Sequence, residues 1–167
     1  MFHIYCGNGK GKTTASIGLA VRYFGAGGKV YFYQFMKNGT SSEVNILKNM
    51  GIYVKACTPC NKFTFKMNDE EKNAVREYHN QMLSEISDIK EKSLIILDEI
   101  ISAYNKNLVD REKAEKIILS FSDDNEIVLT GRQPPEIFLT NADYISEINE
   151  IKHPYQKGIS ARKGIEY

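Results

Sequence analysis

The stretch Cys6-Gly7-Asn8-Gly9-Lys10-Gly11-Lys12-Thr13-Thr14 constrains this chain more than any other part of it. It follows a short apolar segment, Phe2 to Tyr5, and precedes a segment, Thr14 to Phe24, that reads as a helix closed by Gly25-Ala26-Gly27-Gly28. Strand, glycine-rich turn and helix in that order make a cradle for phosphate. The glycines let backbone N–H groups close around phosphate oxygens, and the helix adds its positive N-terminal end. Within the loop formed by Gly7, Asn8, Gly9, Lys10, Gly11 and Thr14, Lys12 is placed to reach the phosphates and Thr13 to ligate Mg2+. The usual spacing, G-x-x-x-x-G-K-[ST], puts its first glycine where this chain has Cys6, so the loop is a variant. A solvated Gly/Lys-rich hairpin would not require the strand before it and the helix after it.

The rest of the chain alternates strand and helix with no linker or repeat. Val30 to Phe35 reads as a buried strand, and Ile52 to Ala56 as another. Thr40 and Glu43 have capping-box spacing at the start of a short helix ending at Gly51, as do Asn68 and Glu71 at the start of a long one. In that long helix Val75, Tyr78, Met82, Ile86 and Ile89 recur three or four apart, a stripe facing a core. Ser93 to Leu97 is continuously apolar, as strands covered on both faces are. An amphipathic helix over Asp110 to Phe121, a strand at Ile127 to Thr130, a shorter helix from near Pro135 and a strand at Tyr144 to Ile148 follow. The expectation is one α/β domain over residues 1–167, with a mostly parallel, P-loop NTPase-like (RecA-like) sheet, helices on both faces, and ligands at the strands' carboxyl ends.

That architecture gives Asp98-Glu99 its meaning. Acidic residues directly after a buried strand, in a chain with a phosphate loop, stand where a second acidic motif holds Mg2+ or its water shell. Glu99 is the expected ligand and Asp98 its partner. Taken alone, such a pair is a solvated turn or a helix N-terminal pair.

Composition narrows the function class. With 22 Lys+Arg against 21 Asp+Glu, the net charge of +1 supplies no general field for nucleic acid. No apolar run nears the roughly 20 residues needed to span a bilayer, and no signal-peptide pattern is visible, so no membrane partner and a cytoplasmic location are expected. Three cysteines, two in Cys57-Thr58-Pro59-Cys60, do not make a disulfide framework; the pair reads as two free thiols in a loop rather than half a zinc site.

Gly7 to Thr14, Asp98-Glu99, Thr130-Gly131-Arg132 and the ending Lys152-His153-Pro154-Tyr155 through Gly164-Ile165-Glu166-Tyr167 together resemble the P-loop ATP:corrinoid adenosyltransferases of cobalamin biosynthesis and salvage. The resemblance runs over essentially the whole chain. It implies that a reduced cobalt(I) corrinoid attacks the 5′ carbon of ATP, giving a cobalt–carbon bond and releasing triphosphate. It also implies an unusual, reversed orientation of ATP. The residues agree with that chemistry. Cobalt(I) is itself the nucleophile, and the sequence holds no convincing triad or acid/base pair. Lys10, Lys12 and Mg2+ held by Thr13 and Glu99 suit a leaving triphosphate.

The resemblance further assigns Arg22 to the nucleotide, although a lone helical arginine otherwise reads as solvated. It likewise assigns Phe63 and Phe65 to the corrin ring, Phe65 standing where the family has Trp; read without it, the two phenylalanines are a half-buried strand edge. Arg132, at a strand end, reaches phosphate or makes a structural ion pair. The basic, aromatic segment Lys152 to Tyr167 closes over the nucleotide or packs as a tail, and His153 reads as structural. An electron donor such as a reduced flavoprotein, and a homodimer, are implied partners. Many members carry a segment ahead of the first strand that covers the site in their dimers. The sequence starts at that strand, which weakens the expectation of a dimer. Two other classes stay open: a P-loop small-molecule kinase, which would release ADP, and a nucleotide- or corrinoid-binding module without turnover.

Overall fold

The computed structural model describes residues 1–121 and 125–166. The strands are β1 (Phe2–Cys6), β2 (Lys29–Gln34), β3 (Tyr53–Ala56), β4 (Ser93–Asp98), β5 (Glu126–Thr130) and β6 (Tyr144–Glu147). They form one sheet in the order β3-β2-β4-β5-β1-β6, with every neighbouring pair parallel. Parallel neighbours need crossovers, and helices supply them: α1 (Lys12–Gly25), α2 (Ser42–Asn49), α3 (Asp69–Ser87), α4 (Ile100–Asn105), α5 (Arg111–Phe121) and α6 (Glu136–Asn141).

Strand alternation divides the core in two. Val128 of β5 faces a cluster with Ala20 of α1, Leu47 of α2 and Phe32 of β2. Its neighbours Ile127 and Leu129 face the opposite cluster, with Met82 of α3, Ile118 of α5 and Phe138 of α6. All of β4 is buried, as its unbroken apolar run predicts for a strand covered on both faces.

The α3 stripe packs as its spacing predicts through Ile86, with Val75, Met82 and Ile86 buried and Tyr78 against them, while Ile89 packs on the same cluster from beyond the end of α3. Its capping box forms in both directions: Asn68 Oδ1 accepts from the Glu71 N–H at 2.8 Å, and Glu71 accepts from the Asn68 N–H at 3.0 Å. The expected box at Thr40 and Glu43 does not form. Ser41 is the N-cap and makes no side-chain cap bond, and the Thr40 hydroxyl donates instead to Asn38 Oδ1 at 2.8 Å. Helix α4 goes beyond the sequence reading. Ile100, Ile101, Ala103 and Tyr104 are all buried, so the segment carries no amphipathic period to detect.

Candidate functional site

The carboxyl ends of β1, β5 and β4 lie side by side, β5 between the other two, and bring the glycine-rich loop, Thr130-Gly131-Arg132 and Asp98-Glu99 together. The loop needs its glycines for different reasons. Gly7 and Gly11 have φ of 100° and 119°, a region that L side chains avoid. A Cβ on Gly7 or Gly9 would lie 2.4 or 2.7 Å from the Ile148 carbonyl oxygen. Gly9 donates its N–H to that same oxygen at 2.7 Å, which fastens the loop to the chain leaving β6.

Lys12, buried at the start of α1, turns back on the loop and donates from Nζ to the Gly9 carbonyl at 2.6 Å. Burial holds its pKa below the usual lysine value, against the opposing pull of Glu99. An ammonium weakened by desolvation gains from any anion brought to it.

Asp98 is wholly buried and fully partnered. Its Oδ1 accepts from the Thr13 and Thr130 hydroxyls, each at 2.7 Å, and its Oδ2 accepts from Lys37 Nζ at 2.7 Å. Lys37 Nζ also donates to Thr13 Oγ1 at 3.3 Å. Burial alone would lower the Lys37 pKa, but the Asp98 carboxylate outweighs it and holds the ammonium above its ordinary value. Lys37 was not among the residues that sequence reasoning singled out. The signal for it was positional only: it stands three residues beyond β2, and the last residue of that strand, Gln34, pairs with Asp98.

Glu99 has φ 63°, a left-handed conformation costly for a non-glycine residue and of the kind that clusters at functional sites. Its N–H donates to Thr130 Oγ1 at 2.9 Å, and its carboxylate accepts from the Ser102 hydroxyl at 2.5 Å.

These groups open onto a cavity of about 1130 Å³. It is lined by Asn8, Gly9, Lys10, Gly11, Lys12, Thr13 and Thr14 of the loop, by Lys37, Glu99 and Arg132, and by Cys60, Asn61 and Phe63. Asp98, which accepts from the lining residue Thr13, and Gly7 are not themselves part of this lining. Glu150, His153, Tyr155 and Glu166 complete it, so the C-terminal segment does reach the cavity; Tyr167 lies outside the described residues. His153 accepts from the Tyr155 N–H at 3.1 Å and caps a turn over Pro154–Lys157.

Two of the sequence candidates stand apart from this lining. Arg22 is exposed in the last turn of α1. Phe65 lies on a second cavity of about 390 Å³ with Thr64, Lys72 and Lys106. The half-buried strand edge expected of the two phenylalanines from their alternation is not formed. Phe63 precedes and Phe65 lies within a turn at Thr64–Lys66, and the two rings stack, centres 5.6 Å apart, while 72% and 80% exposed. Cys57 and Cys60 are free thiols, and both are buried.

The fit to Mg2+ follows from the donor set. Among the described residues no group of three His, Cys, Asp or Glu side chains could hold a metal. The cavity instead offers hard oxygens, the Thr13 hydroxyl beside Asp98 and the Glu99 carboxylate, with room for phosphate oxygens and water. Mg2+ is characteristically bound in that way, through few protein ligands plus phosphates. No helix among the described residues is long and apolar enough to cross a membrane.

A parallel sheet with a glycine-rich phosphate loop on one strand and an acidic pair ending the strand two places away defines a P-loop nucleotide-binding domain. The family model for ATP:corrinoid adenosyltransferase BtuR/CobO/CobP matches residues 1–167. The chain is 30% identical over 169 residues to the corrinoid adenosyltransferase of Escherichia coli (strain K12), covering 98% of this chain and 84% of that protein. It is 30% identical over 165 residues to the corrinoid adenosyltransferase of Sinorhizobium sp, covering 96% and 77%. With corrinoid adenosyltransferase CobA of Salmonella typhimurium (strain LT2) the identity is 29% over 171 residues, covering 98% and 84%. The chain therefore belongs to the ATP:corrinoid adenosyltransferase family, a family of transferase enzymes.

Proposed function

We propose that this protein transfers the 5′-deoxyadenosyl group of ATP to the cobalt(I) of a corrinoid, in cobalamin biosynthesis or salvage. The cobalt lone pair forms the bond to C5′, the C5′–O bond breaks, and its electrons leave on triphosphate. The observation that supports this most strongly is one cavity lined by both the phosphate loop and Phe63.

The chain supplies charge and position rather than a nucleophile. Lys12 exchanges its bond to the Gly9 carbonyl for phosphate oxygens, and Lys10 and Arg132 add positive charge from the same lining. Thr13 and Glu99 would hold Mg2+, which when bound would supply positive charge to the triphosphate. Asp98 orients the Thr13 hydroxyl. Phe63 and Phe65, stacked and exposed, meet the flat face of the corrin ring. Arg22 contacts nucleotide only where the ligand reaches past the loop, since it stands outside the lining. A reduced flavoprotein, itself outside this chain, delivers the electron that makes cobalt(I). We place the protein in the cytoplasm and assign it a homodimer on the strength of the family alone.

The test is an anaerobic incubation with ATP, Mg2+ and chemically reduced corrinoid, with separation of the phosphate products. Triphosphate in step with a light-sensitive adenosylated corrinoid is expected. ADP as the product would make the protein a kinase, and binding without product would make it a carrier.

A further inference from the structure

Cys57 and Cys60 form a second chemical site that adenosyl transfer does not use. Cys57 is anchored to the sheet, its N–H donating to the Gln34 carbonyl at 3.0 Å just beyond β3. The chain then turns through Thr58-Pro59, and the Cys60 N–H closes back on the Cys57 carbonyl at 2.9 Å. That turn brings the two thiols close enough for each to shift the other's ionisation, Cys57 upward and Cys60 downward. A turn of this span keeps its end Cα atoms within about 7 Å, the limit for a disulfide. Cys57 is 0% exposed and Cys60 7%, yet Cys60 lines the large cavity, so one sulfur has an approach and the other stands behind it. Cys60 is also the root of the aromatic segment: Phe63 lies three residues on, and Lys106 holds Thr64 through a 2.8 Å bond.

We propose that Cys57 and Cys60 are a thiol–disulfide exchange site, oxidised through the cavity by a small disulfide, and that their redox state sets the position of the Phe63–Phe65 segment. The Cys60 thiolate attacks one sulfur of the oxidant RSSR, forming a mixed disulfide and expelling one thiolate. Cys57 gives up its proton and attacks the Cys60 sulfur, expelling the second. Two cysteine thiols are oxidised and one RSSR becomes two RSH. Cys60 is suited to attack first, because it lines the cavity whereas Cys57 is wholly buried and does not. Closing the bond pulls the root of the aromatic segment toward the anchored end of β3. The consequence for corrinoid rests on the function proposed above; the exchange chemistry does not.

The experiment treats the full chain with oxidised glutathione and counts free thiols after denaturation. The count is expected to fall from three to one, with Cys6 left free. The Cys57→Ser variant is expected to stop at glutathione on Cys60, and Cys60→Ser to take up none. Three surviving thiols, or glutathione on Cys6 instead, would overturn the site. The oxidised chain is then expected to keep ATP binding and lose corrinoid binding, with dithiothreitol restoring it; loss of both together, or of neither, would overturn the coupling. A reduced chain that binds no corrinoid overturns the proposed function, and the thiol count still decides the exchange site.

Discussion

Lys37 Nζ lies 2.7 Å from Asp98 Oδ2, and this one contact holds a wholly buried carboxylate whose other oxygen is already taken by Thr13 and Thr130. The ammonium stands between the phosphate-loop hydroxyl and the acid that orients it, touching both. Lys37→Met keeps the aliphatic stem and removes the charge, leaving Asp98 uncompensated. Breaking a buried pair costs about 3–5 kcal/mol, and the partial exposure of Lys37 puts the expected loss at about 2–4 kcal/mol, read by urea unfolding. Adding Asp98→Asn to Lys37→Met is expected to recover part of that loss. A single variant as stable as the parent would mean that the pair does not hold Asp98.

Asp98 and Glu99 are adjacent in sequence and divide their roles by orientation. Asp98 is filled by protein donors, whereas Glu99 lines the cavity and, among the described residues, its carboxylate accepts from Ser102 alone. Glu99→Gln is therefore expected to leave the melting temperature nearly unchanged and to weaken Mg2+-dependent ATP binding by at least about tenfold, equivalent to 1.4 kcal/mol. Asp98→Asn is expected to lower the melting temperature as well. Calorimetric titration of ATP with and without EDTA, alongside thermal melts, separates the two.

Glycines at two positions of neighbouring elements respond in opposite directions to the same change. At Gly9 a methyl group meets the Ile148 carbonyl at 2.7 Å and the Asn149 backbone at 2.9 Å, so Gly9→Ala forces the loop off the segment after β6. ATP affinity and stability are both expected to fall. Gly18 sits exposed within α1 with nothing within 4 Å of an added Cβ. Gly18→Ala is expected to stabilise by about 1 kcal/mol, the ordinary helix-propensity difference. Chemical denaturation of both variants checks the pair.

Elements with a strong period or an unbroken apolar run were legible in the sequence: α3 from its stripe and cap, β4 from its run, and α1 from the loop before it. What escaped depended on tertiary neighbours. Helix α4 is buried nearly all round and has no polar face to give a period. Thr40 had a cap's spacing, but Asn38 was the closer partner. Phe63 and Phe65 alternate as strand residues do, yet the segment forms a turn at Thr64–Lys66 and the two rings stack. In the site, the local motif carried the loop residues, while Lys37 becomes visible only when Gln34 and Asp98 are known to be paired across β2 and β4.

The exposure of Phe63 and Phe65 separates function from stability. At 72% and 80% exposed they contribute little to the core, so Phe63→Ala is expected to change unfolding free energy by no more than about 0.5 kcal/mol. If the pair meets the corrin ring, the same change lowers corrinoid turnover and leaves ATP binding intact. A variant with parental corrinoid kinetics would remove Phe63 from the substrate site.

His79 gives the fold a pH limit. It is fully buried on α3 beside Phe35; Nδ1 donates to the Leu108 carbonyl at 2.7 Å, and Nε2 accepts from the Met36 N–H at 3.3 Å. The bond from Met36 requires the neutral ring, since a protonated Nε2 would face the Met36 donor, while the bond to Leu108 survives protonation. Burial lowers the pKa from 6.5 to about 4, against the smaller opposing effect of the Leu108 carbonyl. Between those two values the unfolded chain binds the proton and the folded chain does not, so stability is full above pH 6.5 and falls as the pH drops toward 4. The His79 share of that fall is about 3 kcal/mol. Met36, in a left-handed conformation with φ 57°, immediately precedes Lys37, so losing its bond to the imidazole also loosens the contact on Asp98. Urea unfolding of the parent and of His79→Gln at pH 7.5, 5.5 and 4.5 isolates this share from other titrating groups. The stability gap between them is expected to narrow steadily with acid, and a gap independent of pH would show that His79 titrates normally in the folded chain.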